Sequence, residues 1–162
     1  MKVSFDNIYN YVIPMTEFTL KWKFTDERKN RMPNIHLEQL KSLNKKASKF
    51  LWDYISDANF QAEIPFKKDF FKRVEKIQIT EGNENEVKKW LYQRGLPFSK
   101  DVFLSWEPND AMIVPWKLVI KYFDDFYFAD DLTIIDESLN WALLFHHGGK
   151  VYFGTNTTTQ KI

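Results

Sequence analysis

The chain contains no cysteine, which excludes a disulfide framework, thiol chemistry and cysteine-ligated zinc together. Glycine is scarce, at 5 of 162 residues. Neither a glycine-rich phosphate loop, a dinucleotide fingerprint nor a Gly-x-Ser-x-Gly elbow occurs. The seven serines are scattered, and none is marked by its surroundings as half of a catalytic pair. No run approaches the roughly 18 apolar residues of a membrane span. The opening MKVSFDNIYNYVIPM places Asp6 and Asn7 where a signal peptide would carry its apolar core. The expectation is a cytoplasmic protein that is not an enzyme, holds no cofactor or metal, and has no membrane partner.

What is present is aromatic. Fifteen Phe, 7 Tyr and 6 Trp supply core material at about 150–250 Å² of buried area each. Six tryptophans exceed what one small core needs, so some are expected at a groove or contact surface. The length suits one domain over residues 1–162, with a tail expected to fray after about residue 154. The net charge of +1 conceals an asymmetry: residues 1–100 carry 19 Lys and Arg against 13 Asp and Glu, and residues 101–162 carry 4 against 9. The acidic end would attract a basic partner.

Periodicity predicts an α+β fold, with N-terminal helices packed on a mainly antiparallel C-terminal sheet. Phe18, Leu20, Trp22 and Phe24 alternate with polar residues, as in a half-buried strand. Asn44 caps a helix carrying Ala47, Phe50, Leu51, Tyr54 and Ile55. Pro65 opens a shorter one through Phe66, Phe70 and Val74. Asn83 and Glu86 have the form of a capping box, and Gly95 marks that helix's end. Strands are expected at 102–106 and 111–114, followed by a helix with Pro115 at its first position. Three more strands follow at 132–136, 140–146 and 150–154, the last two joined by Gly148-Gly149.

Candidate chemistry is sparse. His146 and His147 stand at a strand end, where neighbours point to opposite faces, so one histidine is expected toward the core and one outside. His36 is the third and has no sequence tie to the pair. Asp124, Asp125, Asp130, Asp131, Asp136 and Glu137 form an acidic stretch that no Lys or Arg interrupts. Phe126, Tyr127 and Phe128 lie within it. Carboxylates that steer encounter, with rings that supply contact energy, suit docking of a basic protein; a solvated loop is the plainer reading. A second surface interleaves Lys21, Lys23, Arg28, Lys29 and Arg31 with Trp22 and Phe24, and Lys67, Lys68, Lys72 and Arg73 with Phe70 and Phe71. That pattern could bind single-stranded nucleic acid. A third reading is an unrecognised enzyme with a carboxylate-bound metal ion.

The run VPWKLVIKYFDDFYFADDLTIIDESLNWALLFHHGGKVYFG resembles small bacterial toxin-immunity proteins of the contact-dependent growth-inhibition or polymorphic-toxin type. Upstream, LEQLKSLNKKASKFLWDYIS is similar to an uncharacterised small bacterial family. The resemblance implies a protein that binds and neutralises a cognate toxin, such as a nuclease, by occluding its active site. It makes Asp124, Asp125, Tyr127, Asp130, Asp131 and Glu137 the partner-binding candidates. The alternative is a single-stranded nucleic-acid-binding module using the basic, aromatic N-terminal half.

Overall fold

A computed structural model describes residues 2–25, 32–127 and 131–157. Eight strands form one antiparallel sheet in the order β1-β2-β5-β4-β6-β7-β8-β3. They are β1 (Val12–Ile13), β2 (Lys41–Leu43), β3 (Arg73–Gln78), β4 (Asp101–Glu107), β5 (Asp110–Pro115), β6 (Leu132–Ile135), β7 (Trp141–His146) and β8 (Lys150–Thr155). The helices are α1 (Trp22–Thr25), α2 (Asn34–Leu37), α3 (Lys45–Ala58), α4 (Glu84–Tyr92) and α5 (Trp116–Tyr127). The fold is α+β. Its five central strands come from the C-terminal part, while β1, β2 and β3 from the first hundred residues extend the sheet at both sides.

The sheet is covered on both faces, which explains why its central strands read as nearly continuous apolar runs rather than as alternations. Val102, Leu104, Leu132, Ile134, Leu143 and Phe145 meet α4 and α5 on one side. Their neighbours Phe103, Ile135, Ala142 and Leu144 meet Leu51 and Ile55 of α3 on the other. The α3 cap forms as expected: Asn44 Oδ1 accepts from Ala47 N at 2.9 Å. Asn59 ends the helix in the left-handed region, with φ 59°.

Three local expectations fail for identifiable reasons. Residues 18–24 are not a strand. Lys21, Lys23 and Phe24 donate to carbonyls three residues back, so the segment satisfies its own backbone in a turn and α1. Phe18 and Phe24 are still buried, tilted against Trp106 and Phe126. The helix expected after Pro65 is replaced by turns, because Asp69 sits at φ 66°, outside the helical range. Val74 instead lies on β3, which pairs with β8 over its full length. Asn83 precedes α4 but does not cap it. Its Oδ1 accepts from Thr80 N and its Nδ2 donates to the Gln78 carbonyl, which ties the helix entry back to β3. At the C-terminus β8 continues through Thr155, one residue beyond the expected limit, and Asn156 N still donates to the Asn140 carbonyl. Among the described residues no helix is long and apolar enough to cross a membrane.

Candidate functional site: a groove beside the acid and histidine corner

Helix α3 covers only part of its face of the sheet, chiefly β4 and β5. Beyond its C-terminus the chain doubles back through residues 59–66, leaving a groove of about 400 Å³ over β4, β6 and β7. Trp52 and Ile55 of α3 form one wall, and Ile64 and Pro65 the other. Trp52 and Ile64 are 36% and 70% exposed, more than large apolar groups serving only the core would be. The second wall rests on an aromatic cluster in which Phe60 meets Phe66, Phe70 and Phe71 at ring-centroid distances of 6.0, 5.3 and 5.9 Å. Gln61 Nε2 pins it to the floor by donating to Thr133 Oγ1 at 3.0 Å.

The floor is mixed. Leu144 is apolar, while Ser105, Thr133 and His146 are polar. Ser105 Oγ is buried beneath the floor and lacks a hydrogen-bond partner among the described residues. The Trp106 ring packs on the opposite face of the sheet, beside Phe18, where its Nε1 donates to the Phe126 carbonyl at 2.7 Å.

At one end of the groove stand Asp131 and His146. His146 closes β7 and is half-buried, whereas His147 lies past the strand and is exposed. The period-two alternation therefore ends at His146. The turn brings the two rings together, with centroids 3.9 Å apart, contrary to the expectation that they point to opposite faces. Asp131 Oδ1 accepts from His147 N at 2.6 Å and lies 3.3 Å from His147 Nδ1. One ligand atom from each of Asp131, His146 and His147 falls within 4.8 Å of the other two.

The acidic stretch divides. Asp124, Asp125 and Tyr127 belong to the last turns of α5, and Asp131 starts the return into the sheet. Asp130 lies outside the described residues, as does Phe128. Asp124 sits at the solvent edge of the α4–α5 contact, where lost hydration first, then the Glu84 carboxylate, raise its pKa against the pull of Lys88. The Tyr127 ring stacks on Phe145 at 5.6 Å, so it is half-buried and offers an edge rather than a free face. Burial, then Asp124, raise its phenol pKa. Asp136 is buried and structural, accepting from Trp141 Nε1 at 2.8 Å and from Ser138 N at 2.9 Å. Glu137 is separated from Asp131 by the whole of β6 and belongs to the other end of the sheet.

Glu137 marks a second acidic place. Its carbonyl accepts from Tyr54 OH at 2.6 Å, and nearby Tyr9 OH donates to Asp101 Oδ2 at 2.6 Å. The Tyr9 phenol pKa is raised, by desolvation first, then by the Asp101 hydrogen bond and the charges of Asp101 and Glu137. A phenol whose pKa is higher folded than unfolded stabilises the fold below the ordinary phenol range, and that contribution is lost as pH rises above it. Tyr9→Phe should cost no more than about 1 kcal/mol at pH 7, the bond being partly exposed. The difference from the parent should shrink once pH passes about 10. Urea midpoints between pH 7 and 11 check this.

The basic, aromatic candidates are also dispersed. Arg28, Lys29 and Arg31 lie outside the described residues. Trp22 is 39% exposed, but Phe24 and Phe71 are buried, and Phe70 is spent in the aromatic cluster. Arg73 faces Glu75 at 2.7 Å. His36 is occupied by a close contact to Tyr122 OH.

Sequence reasoning missed the groove altogether. Its signal was faint: Trp52 falls on the polar side of the α3 stripe, and Ile64-Pro65 follows a helix end. No protein-family model, no curated protein and no solved structure matches the chain.

Proposed function

We propose that this chain is an immunity-type inhibitor, which binds a cognate bacterial toxin in the cytoplasm and occludes the toxin's active site. One observation carries the reading. Two exposed apolar side chains, Trp52 and Ile64, flank a preformed groove whose end carries the Asp131 carboxylate. Apolar anchors framing a concavity, with charge at its margin, are the usual composition of a protein-docking site. The Asp131 carboxylate suits a basic toxin cleft, because it would take a cation that otherwise holds substrate phosphate. Asp124 and Asp125, on α5 at the opposite face of the sheet, are not part of this groove. Glu137 is left out of this face. The resemblance to toxin-immunity proteins supports the same reading.

The test is co-expression with the product of the neighbouring open reading frame, followed by calorimetry on the purified pair and a growth-rescue assay. A one-to-one complex that restores growth is the expected result. Trp52→Ala should then weaken it by about 2 kcal/mol or more, roughly 30-fold, and Asp131→Asn should mainly slow association at low salt. A complex indifferent to both changes would remove the groove from the proposal. If no complex forms at micromolar concentration and single-stranded RNA binds in a steeply salt-dependent way, the nucleic-acid alternative takes its place.

A further inference from the structure

We propose that Asp131, His146 and His147 form a zinc site at the mouth of the groove. The three side chains supply one carboxylate and two imidazoles, a donor set that suits zinc and disfavours magnesium and calcium, which take oxygen ligands. Zinc holds such atoms at about 2.0–2.2 Å in a tetrahedron, which places them roughly 3.4 Å apart. The three ligand atoms already lie within 4.8 Å of one another. The His147 side chain is 79% exposed, so turning its ring closes the remaining gap without moving the backbone.

The backbone is what makes this more than a chance meeting of polar groups. His147 N donates to Asp131 Oδ1, which fixes one oxygen of the carboxylate and leaves the other for a metal. The turn that carries His147 is tied to the end of β3 by two bonds: Gln78 Nε2 donates to the Gly148 carbonyl at 2.7 Å, and Ile79 N, on the next residue, donates to the Gly149 carbonyl at 2.7 Å. Gly148 and Gly149 adopt φ 85° and 81°, a region that only glycine enters without strain. Gly149 is also tightly seated: a Cβ there would lie 3.0 Å from both Gln78 Nε2 and the Ile79 oxygen. The three ligands therefore sit just before β6, at the end of β7 and on a pinned hairpin turn.

Three protein ligands leave a fourth position for water or an incoming group. Because Asp131 and His146 also line the groove, that position is within reach of a side chain docking there. The metal site itself rests only on these three residues and requires no partner.

The experiment is a zinc titration of the tag-free chain against a chelating chromophore, with ring-nitrogen NMR of the histidines. One zinc per chain is expected, with the resonances of His146 and His147 moving and those of His36 staying in place. Asp131→Asn, His146→Ala and His147→Ala should each weaken binding at least about tenfold, and His36→Gln should leave it unchanged. Unaltered far-UV circular dichroism would show that the variants remain folded. Absence of binding, affinity that survives loss of all three ligands, or perturbation of His36 instead would overturn the site.

Discussion

Phe60→Ala is expected to lower unfolding free energy by about 3–5 kcal/mol, the range for removing a large aromatic ring from a packed interior. Phe60 is fully buried and, like Phe71, touches each of the other three rings of its cluster. The surroundings cannot easily close over the gap. Phe71 lies directly on the β8 backbone, where a Cβ at Gly154 would come within 2.3 Å of Phe71 Cδ2. On the other side, Lys67 N is bonded to the Phe60 carbonyl at 2.5 Å, which fixes the span of the loop. A cavity should therefore persist, and the cost should fall toward the upper end. Urea denaturation measures it, with Phe60→Leu as a milder companion that keeps part of the apolar volume. The consequence reaches the groove, because Ile64 and Pro65 belong to the same loop. Phe60→Ala should weaken partner binding although Phe60 touches no partner. A loss below about 1 kcal/mol would mean that the second groove wall is not built on this cluster.

The elements that were legible in the sequence are those whose pattern and local backbone chemistry agree. Helix α3 has a capping asparagine and an apolar stripe, and both do in the fold what they announce. The hairpin at Gly148-Gly149 needs residues that tolerate positive φ, and glycine names itself there. Strands β4 to β8 were legible as apolar runs bounded by turn residues. What failed was pattern without partner. The alternation at residues 18–24 is as regular as that of many strands, yet no strand of the sheet pairs with it. Its rings are buried through a turn instead. The run after Pro65 fails conversely: its phenylalanines pack on one another and against β8 without a helix, an arrangement that follows from the long-range β3–β8 pairing. The candidate site divides along the same line. Asp124 and Asp125 stay on α5, on the α4 side of the sheet, Asp131 reaches the groove on the other face, and Glu137 is carried to the far end by β6. Trp52 was invisible because its function depends on where α3 stops covering the sheet. The meeting of His146 with His147 depends on the strand ending between them.

Arg94→Ala should be the next most damaging change, at about 3 kcal/mol. Its side chain is 3% exposed, and its guanidinium is held at three points. Nη1 pairs closely with Glu75, Nε donates to the Trp90 carbonyl at 2.8 Å, and the plane lies over the Trp90 ring at 4.2 Å. The residue thus joins the end of α4 to β3, an outer strand of the sheet. Deleting it would strip Glu75 of its buried partner, and a carboxylate left partly desolvated is costly. Arg73 still faces Glu75 at 2.7 Å, which keeps the expected loss at the lower end of the range for a broken buried pair. Most of it should then come from packing and from the abandoned Trp90 carbonyl. A double change separates the two contributions. Arg94→Met with Glu75→Gln restores apolar volume over Trp90 and removes the stranded charge, so it should recover more than half of the loss. If Arg94→Met alone recovers as much, Glu75 contributes little. If neither does, the guanidinium's bond to the α4 carbonyl is what fixes the helix against the sheet.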